Sequence, residues 1–191
     1  MNHLEIEYKS GLNEEQFDSL LPLFKDITPV KQTNYYMELN VKLASRDINE
    51  LLWRNKKTLG TAESCTGGRI ASVITAIPGS SSYYKGGIIC YSNLVKTEIL
   101  GVDAAVIAEQ TAVCEDVVKQ LVIGTNKLLH TDYAVAVSGF AGPATSNDTT
   151  SAVPAGTIWI AVGQENDIVT LKLEEDNGRD LNLANATEKA I

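Results

Sequence analysis

From residue 37 onward, short apolar runs alternate with longer stretches whose apolar residues fall on one helical face. Leu39, Val41, Leu43, Ile48, Leu51 and Leu52 predict an amphipathic helix over 39–56. A short strand over 58–62 runs into Glu63-Ser64-Cys65-Thr66-Gly67-Gly68, and a helix over 69–76 follows, ended by Pro78-Gly79. Residues 87–91 predict an apolar strand, and 93–100 a short helix closed by Gly101. A second long helix is predicted over 115–129, with His130 as its end residue. Residues 133–137 read as a buried strand, 144–153 as a polar loop, 156–162 and 168–173 as strands, and 180–190 as a last helix.

Strands that alternate with helices, and are apolar on both faces, predict an α/β fold. The expected form is a three-layer α/β/α sandwich around a mixed, mostly parallel sheet. Only residues 163–167 separate the last two strands, too few for a crossover helix, so the sheet should end in a C-terminal antiparallel hairpin. Residues 1–36 follow a different pattern. Residues 4–9 alternate like a strand, a helix opens near Asn13 with Phe17, Leu20, Leu21 and Leu23 apolar, and 32–36 would start a second strand. The pattern thus divides the chain into an N-terminal appendage, 1–36, and a domain, 37–191, with Met37 its candidate start.

Composition narrows the functions open to such a fold. With 44% hydrophobic and 21% charged residues the chain is globular and not disordered. A net charge of −8 argues against a nucleic-acid partner, which calls for a basic face. Met1-Asn2-His3-Leu4-Glu5 has neither the basic nor the apolar stretch of a leader, and no apolar run is long enough for a membrane span. A cytoplasmic protein without a membrane partner is expected. Cys65, Cys90 and Cys114 lie in apolar segments and read as free thiols. The two histidines, His3 and His130, lack metal-ligand spacing, so no metal and no cofactor are expected. If a serine is activated here, its base is not expected to be histidine.

Ligands of open α/β sheets sit beyond the carboxyl ends of strands, and three loops there carry suggestive residues. Glu63-Ser64-Cys65-Thr66-Gly67-Gly68 exposes hydroxyls and bare backbone N–H groups, although the same turn could be a plain helix cap. Tyr91-Ser92-Asn93-Leu94-Val95-Lys96 puts a tyrosine at a strand end and a lysine one turn into a helix. A lysine acts as a base only when its pKa falls well below about 10.4, and a solvated helix lysine is the plainer alternative. Ser138-Gly139-Phe140-Ala141-Gly142-Pro143 leaves small residues after a buried strand, with N–H groups that could meet an anion or a carbonyl oxygen.

Taken with Gly79-Ser80-Ser81-Ser82-Tyr83-Tyr84-Lys85-Gly86-Gly87, these blocks resemble, in order and spacing, the CinA C-terminal family. The resemblance runs from about Met37 to the end. It implies an amidase that hydrolyses the carboxamide of nicotinamide mononucleotide to nicotinic acid mononucleotide and ammonia, with Ser64 as nucleophile, Lys96 as base and Tyr91 assisting. Thr66, Gly67, Ser81, Ser138, Gly139, Ala141 and Gly142 would line the substrate pocket, with N–H groups of the glycine turns receiving the oxyanion and Arg179 a candidate phosphate ligand. The implied partner is a small-molecule nucleotide, and relatives that associate imply a homo-oligomer, with 88–91 near an interface. A non-catalytic CinA-type interaction module in competence or DNA-damage response is the alternative. The chain departs from the family at 144–150, a polar run where many relatives carry glycines, and at Cys114, where serine is common. Residues 1–36 resemble instead the opening of a CYTH domain, a polyphosphate- and metal-binding barrel, which would point to phosphate handling.

Overall fold

A computed structural model describes residues 33–142 and 153–191, with side chains from residue 42 onward. From residue 34 onward they belong to the compact unit Asn34–Ile191. The strand at 4–9, the helix opening near Asn13 and the polar run 144–150 lie outside the described residues.

Helix α1 spans Thr33–Asn55 and leads into strand β1, Leu59–Glu63. Helix α2 (Arg69–Thr75), a 3₁₀ turn (Ser80–Ser82) and β2 (Tyr84–Ile89) follow. Next come α3 (Asn93–Glu98), α4 (Ala104–Gln110) and α5 (Glu115–Leu129). Strands β3 (Tyr133–Gly139), β4 (Ile158–Gln164) and β5 (Asp167–Leu173) precede α6 (Arg179–Ala190).

The five strands form one mixed sheet in the order β2-β1-β3-β4-β5. Strand β1 pairs in parallel with β2 and β3, while β3–β4 and β4–β5 are antiparallel. Every residue of β1 is buried, as a central strand covered on both faces requires, whereas edge strand β2 alternates between half-buried and exposed. The period-2 alternation in β3 sorts its side chains into two cores. Val135 and Val137 face Ile70 and Ile74 of α2, Leu183 and Ala186 of α6 and Leu52 of α1. Ala134 and Ala136 face Val117, Val118, Leu121 and Val122 of α5 and Leu100 and Val102 of the α3–α4 segment. Helices therefore cover both faces, and the chain folds as a three-layer α/β sandwich. Truncating Leu52, Ile70, Ile74, Leu100, Leu121 or Leu183 to alanine carries the usual cost of about 2–5 kcal/mol.

The path of the chain through these layers places the site. After β1 it crosses on the α2 face; after the neighbouring β2 it crosses on the opposite face, through α3 to α5. Adjacent parallel strands whose connections leave on opposite faces open a crevice at their carboxyl ends. At the other end of the sheet, Asp132 ties the entries of β1 and β3. It accepts from Thr58 N and Thr58 Oγ1, both at 2.8 Å, and from Lys57 Nζ at 2.8 Å.

Two elements differ from the sequence pattern. Thr33-Asn34-Tyr35-Tyr36, expected to be a strand, opens α1. They precede the good helix formers Met37, Glu38 and Leu39, and extending an existing helix gains one hydrogen bond for each residue fixed. Helix α4 has no counterpart in the pattern because no residue of it is fully buried, so it lacks a strong apolar stripe. Its start is set by Asp103, whose Oδ1 accepts from Ala105 N at 2.8 Å.

Candidate active site

Ser64 stands one residue past β1. Its N–H still donates to Val137 O at 2.9 Å, so the β1–β3 ladder carries the serine out of the sheet in register. The chain then turns sharply. Gly67 and Gly68 adopt φ values of 58° and 97°, a left-handed conformation that costs other residues strain, and α2 begins immediately after.

Lys96 approaches from the other side of the crevice. Helix α3 starts at Ser92, whose Oγ accepts from Val95 N at 3.3 Å, and one turn later Lys96 points inward, only 2% exposed. Its Nζ lies 3.1 Å from Ser64 Oγ and donates to Cys90 O at 2.6 Å. Burial, which penalises the ammonium, holds the Lys96 pKa below its ordinary 10.5. The neighbouring thiol is a poor competitor for the role of nucleophile. Burial pushes Cys65 up to about 12, with the N–H groups of Cys65 and Thr66 and the cations of Arg179 and Lys96 drawing it back only in part.

The remaining expected site residues divide into groups. Tyr91 is 63% exposed, and its hydroxyl stands 3.5 Å from Arg179 Nη2, while the lysine is held by the Cys90 carbonyl. Arg179 opens α6 and packs over Gly142, where an added Cβ would come within 2.9 Å of Arg179 Cβ. Gly142, Arg179 and Tyr91 thus form one contiguous patch. Thr66 is fully buried, and its Oγ1 has no hydrogen-bond partner among the described residues. Ser81 sits exposed in the 3₁₀ turn. Ser138 is 1% exposed and donates its hydroxyl to Ala112 O at 2.7 Å, so its side chain is already committed. Gly139 abuts Ile158, and Ala141 is buried.

The expectation that glycine N–H groups are free to hold an oxyanion needs correction in the first turn. Gly67 N donates to Ser64 O at 3.1 Å and Gly68 N to Glu63 Oε2 at 2.9 Å. A sharp turn satisfies its own donors, which spacing along the chain does not reveal.

Two residues that the sequence did not single out hold the loops in place. Glu63, at the end of β1, accepts hydrogen bonds from the start of α2. Asn182 is 2% exposed and donates to Ala141 O at 2.9 Å and to Asp176 Oδ1 at 2.9 Å, while accepting from Asn177 N at 2.9 Å. It joins the 138–142 loop to the start of α6 and thereby sets Arg179 over Gly142. The only signals in sequence are a carboxylate beside the candidate nucleophile and an amide three residues past the arginine.

The fold and site define an α/β protein that sets a serine against a buried lysine where its sheet changes winding direction. The chain belongs to the CinA C-terminal domain family, which residues 42–191 match. A CinA-like protein of Cytophaga hutchinsonii is 36% identical over 170 residues, covering 89% of this chain and 38% of that protein. One from Amoebophilus asiaticus is 36% identical over 177 residues, covering 93% and 40%. The chain therefore spans about two-fifths of the length of these curated relatives. The fold is also that of the crystal structure of competence damage-inducible protein A (ComA) from Klebsiella pneumoniae, with a TM-score of 0.73 and 31% identity over 78% of this chain and 91% of that one. Competence/damage inducible protein CihA from Agrobacterium tumefaciens gives a TM-score of 0.73 and 29% identity, covering 79% and 91%. Among the described residues, no helix is long and apolar enough to cross a membrane.

Proposed function

We propose that the protein is an amidohydrolase that cleaves the carboxamide of a pyridine nucleotide, nicotinamide mononucleotide, to the carboxylate and ammonia. The observation that carries this reading is the 3.1 Å contact between Ser64 Oγ and a Lys96 Nζ that is 2% exposed with a lowered pKa. A serine hydroxyl is a weak nucleophile until a base takes its proton, and a desolvated lysine is a recognised substitute for histidine.

In the proposed reaction, neutral Lys96 accepts the Ser64 proton as Oγ bonds to the amide carbon. The tetrahedral intermediate then collapses, the C–N bond breaks, and the lysine proton leaves with ammonia. Water attacks the resulting Ser64 ester, giving up its proton to Lys96. The ester C–O bond breaks, the acid is released, and Ser64 recovers its proton. With the glycine N–H groups of the turn occupied, the donors it can offer the oxyanion are the N–H groups of Cys65 and Thr66, which otherwise face the Cys65 sulfur. The exposed Arg179 guanidinium, beside the Tyr91 hydroxyl, suits a phosphate at the mouth of the crevice.

Ammonia release from nicotinamide mononucleotide tests this reading. Wild type should turn the substrate over, and Ser64→Ala or Lys96→Ala should each lower kcat by at least about 100-fold, the scale of general-base catalysis. Absent wild-type turnover at high enzyme concentration rejects the substrate, and full activity in Ser64→Ala rejects the mechanism.

A further inference from the structure

Glu63 is 1% exposed, and a buried carboxylate is costly unless hydrogen bonds replace the water it loses. It meets that need with backbone alone. Oε2 accepts from Gly68 N at 2.9 Å and Ile70 N at 3.1 Å, and Oε1 accepts from Ala71 N at 2.8 Å. These N–H groups open α2, and a helix ordinarily satisfies such donors with a serine, threonine or aspartate at its own N-cap. Here the N-cap is Gly68, which has no side chain to offer. A local cap would satisfy the helix and leave the preceding turn free. A cap reaching from β1 instead ties the strand end to the helix start and fixes the span between them, which is the turn that carries Ser64.

The main chain of the same residue secures the other half of the pair. Glu63 O accepts from Cys90 N at 2.9 Å, and Cys90 O in turn accepts from Lys96 Nζ at 2.6 Å. The ring closes through the contact between Lys96 Nζ and Ser64 Oγ. We propose that Glu63 is the positioning residue of the Ser64–Lys96 pair, its buried carboxylate setting the turn so that the hydroxyl meets the amine. The proposal rests on reading Ser64 as the nucleophile. It assigns Glu63 no contact with substrate or with the reacting atoms.

The test uses the full chain and a fluorophosphonate probe, which phosphonylates an activated serine whatever the natural substrate. Glu63→Gln is nearly isosteric but turns an amide NH₂ toward backbone donors. Glu63→Asp keeps the charge but falls short of three N–H groups, and provides a second variant should the first fold poorly. Ser72→Gly, at an exposed position of α2, loosens the helix without touching the clamp. Both Glu63 variants should label Ser64 at least tenfold more slowly at saturating probe, with the half-saturating concentration within twofold of wild type. Ser72→Gly should label at the wild-type rate despite a comparable fall in Tm. Their crystal structures should show Ser64 Oγ and Lys96 Nζ beyond hydrogen-bond range. Wild-type labelling rates in both Glu63 variants, or equal slowing in Ser72→Gly, would overturn the proposal. So would a dyad contact kept intact in both Glu63 structures, a readout that stands even if wild type is neither labelled nor able to turn over the nucleotide. Those two wild-type failures count against the amidase reading alone.

Discussion

Lys96 carries a stability cost along with its proposed chemistry. Burial holds its folded-state pKa below the unfolded value, so the unfolded chain binds more protons between those two values and stability rises with pH across that window. At pH below the window the full penalty of burying the ammonium applies. Lys96→Met keeps the stem and removes the charge, and replacing a buried charge by an apolar group is often neutral or stabilising. The variant should melt higher at neutral pH, by about 1 kcal/mol, with the gain shrinking as pH approaches 10.5, while ammonia release falls to background. Thermal melts at pH 7 and pH 10 check the sign; a variant clearly less stable than wild type at pH 7 would show that the hydrogen bonds of Nζ outweigh its desolvation.

Among the elements, α6 depends on Asn182 for its junction with the 138–142 loop. Asn182→Ala leaves Ala141 O and Asn177 N without their partner in a buried setting, at about 1–3 kcal/mol. Because Arg179 and Gly142 are positioned through this junction and the dyad is not, KM for the proposed nucleotide substrate should rise several-fold with kcat within about twofold. Steady-state kinetics decide it, and a loss confined to kcat would detach Asn182 from the proposed phosphate-binding end of the site. The elements also differ in how far the sequence disclosed them. Helix α5 was legible to the residue, Glu115–Leu129, because Val117, Val118, Leu121 and Val122 mark one face. The hairpin of β4 and β5 followed from its short connection. Ser64 and Lys96 lay in local blocks whose roles only the family resemblance implied, and their contact adds what no spacing of 32 residues can state. The clamp of Glu63 on Gly68, Ile70 and Ala71 was not legible, since a glutamate at a strand end looks like the polar start of a loop. Nor was the pairing of Tyr91 with Arg179, 88 residues apart, which puts the tyrosine at the mouth and leaves the lysine to a carbonyl.

Across the whole molecule, the sheet is fastened at both ends. At the end away from the site, Asp132 joins the entries of β1 and β3, and the hydrogen bond from Lys57, followed by those from Thr58, depresses its pKa to about 2. A carboxylate whose folded pKa is depressed contributes stability above its unfolded value near 3.9, and that contribution is lost as pH falls toward 2. With Asp132 partly exposed, solvent screening reduces the contribution to about 1 kcal/mol. Asp132→Asn should therefore be less stable at pH 7 and should converge with wild type near pH 2 in denaturant titrations; an equal gap at both values would remove the ionic origin. At the opposite end, everything converges on whether the crevice activates Ser64. The most direct measurement is the rate at which a fluorophosphonate modifies the protein between pH 6 and about pH 10.5, with the modified peptide identified by mass spectrometry. Modification on Ser64 alone is expected, its rate climbing with pH through one ionisation below 10.5 and collapsing in Lys96→Ala. Modification at another residue, or a Lys96→Ala rate equal to wild type across the range, would contradict the dyad.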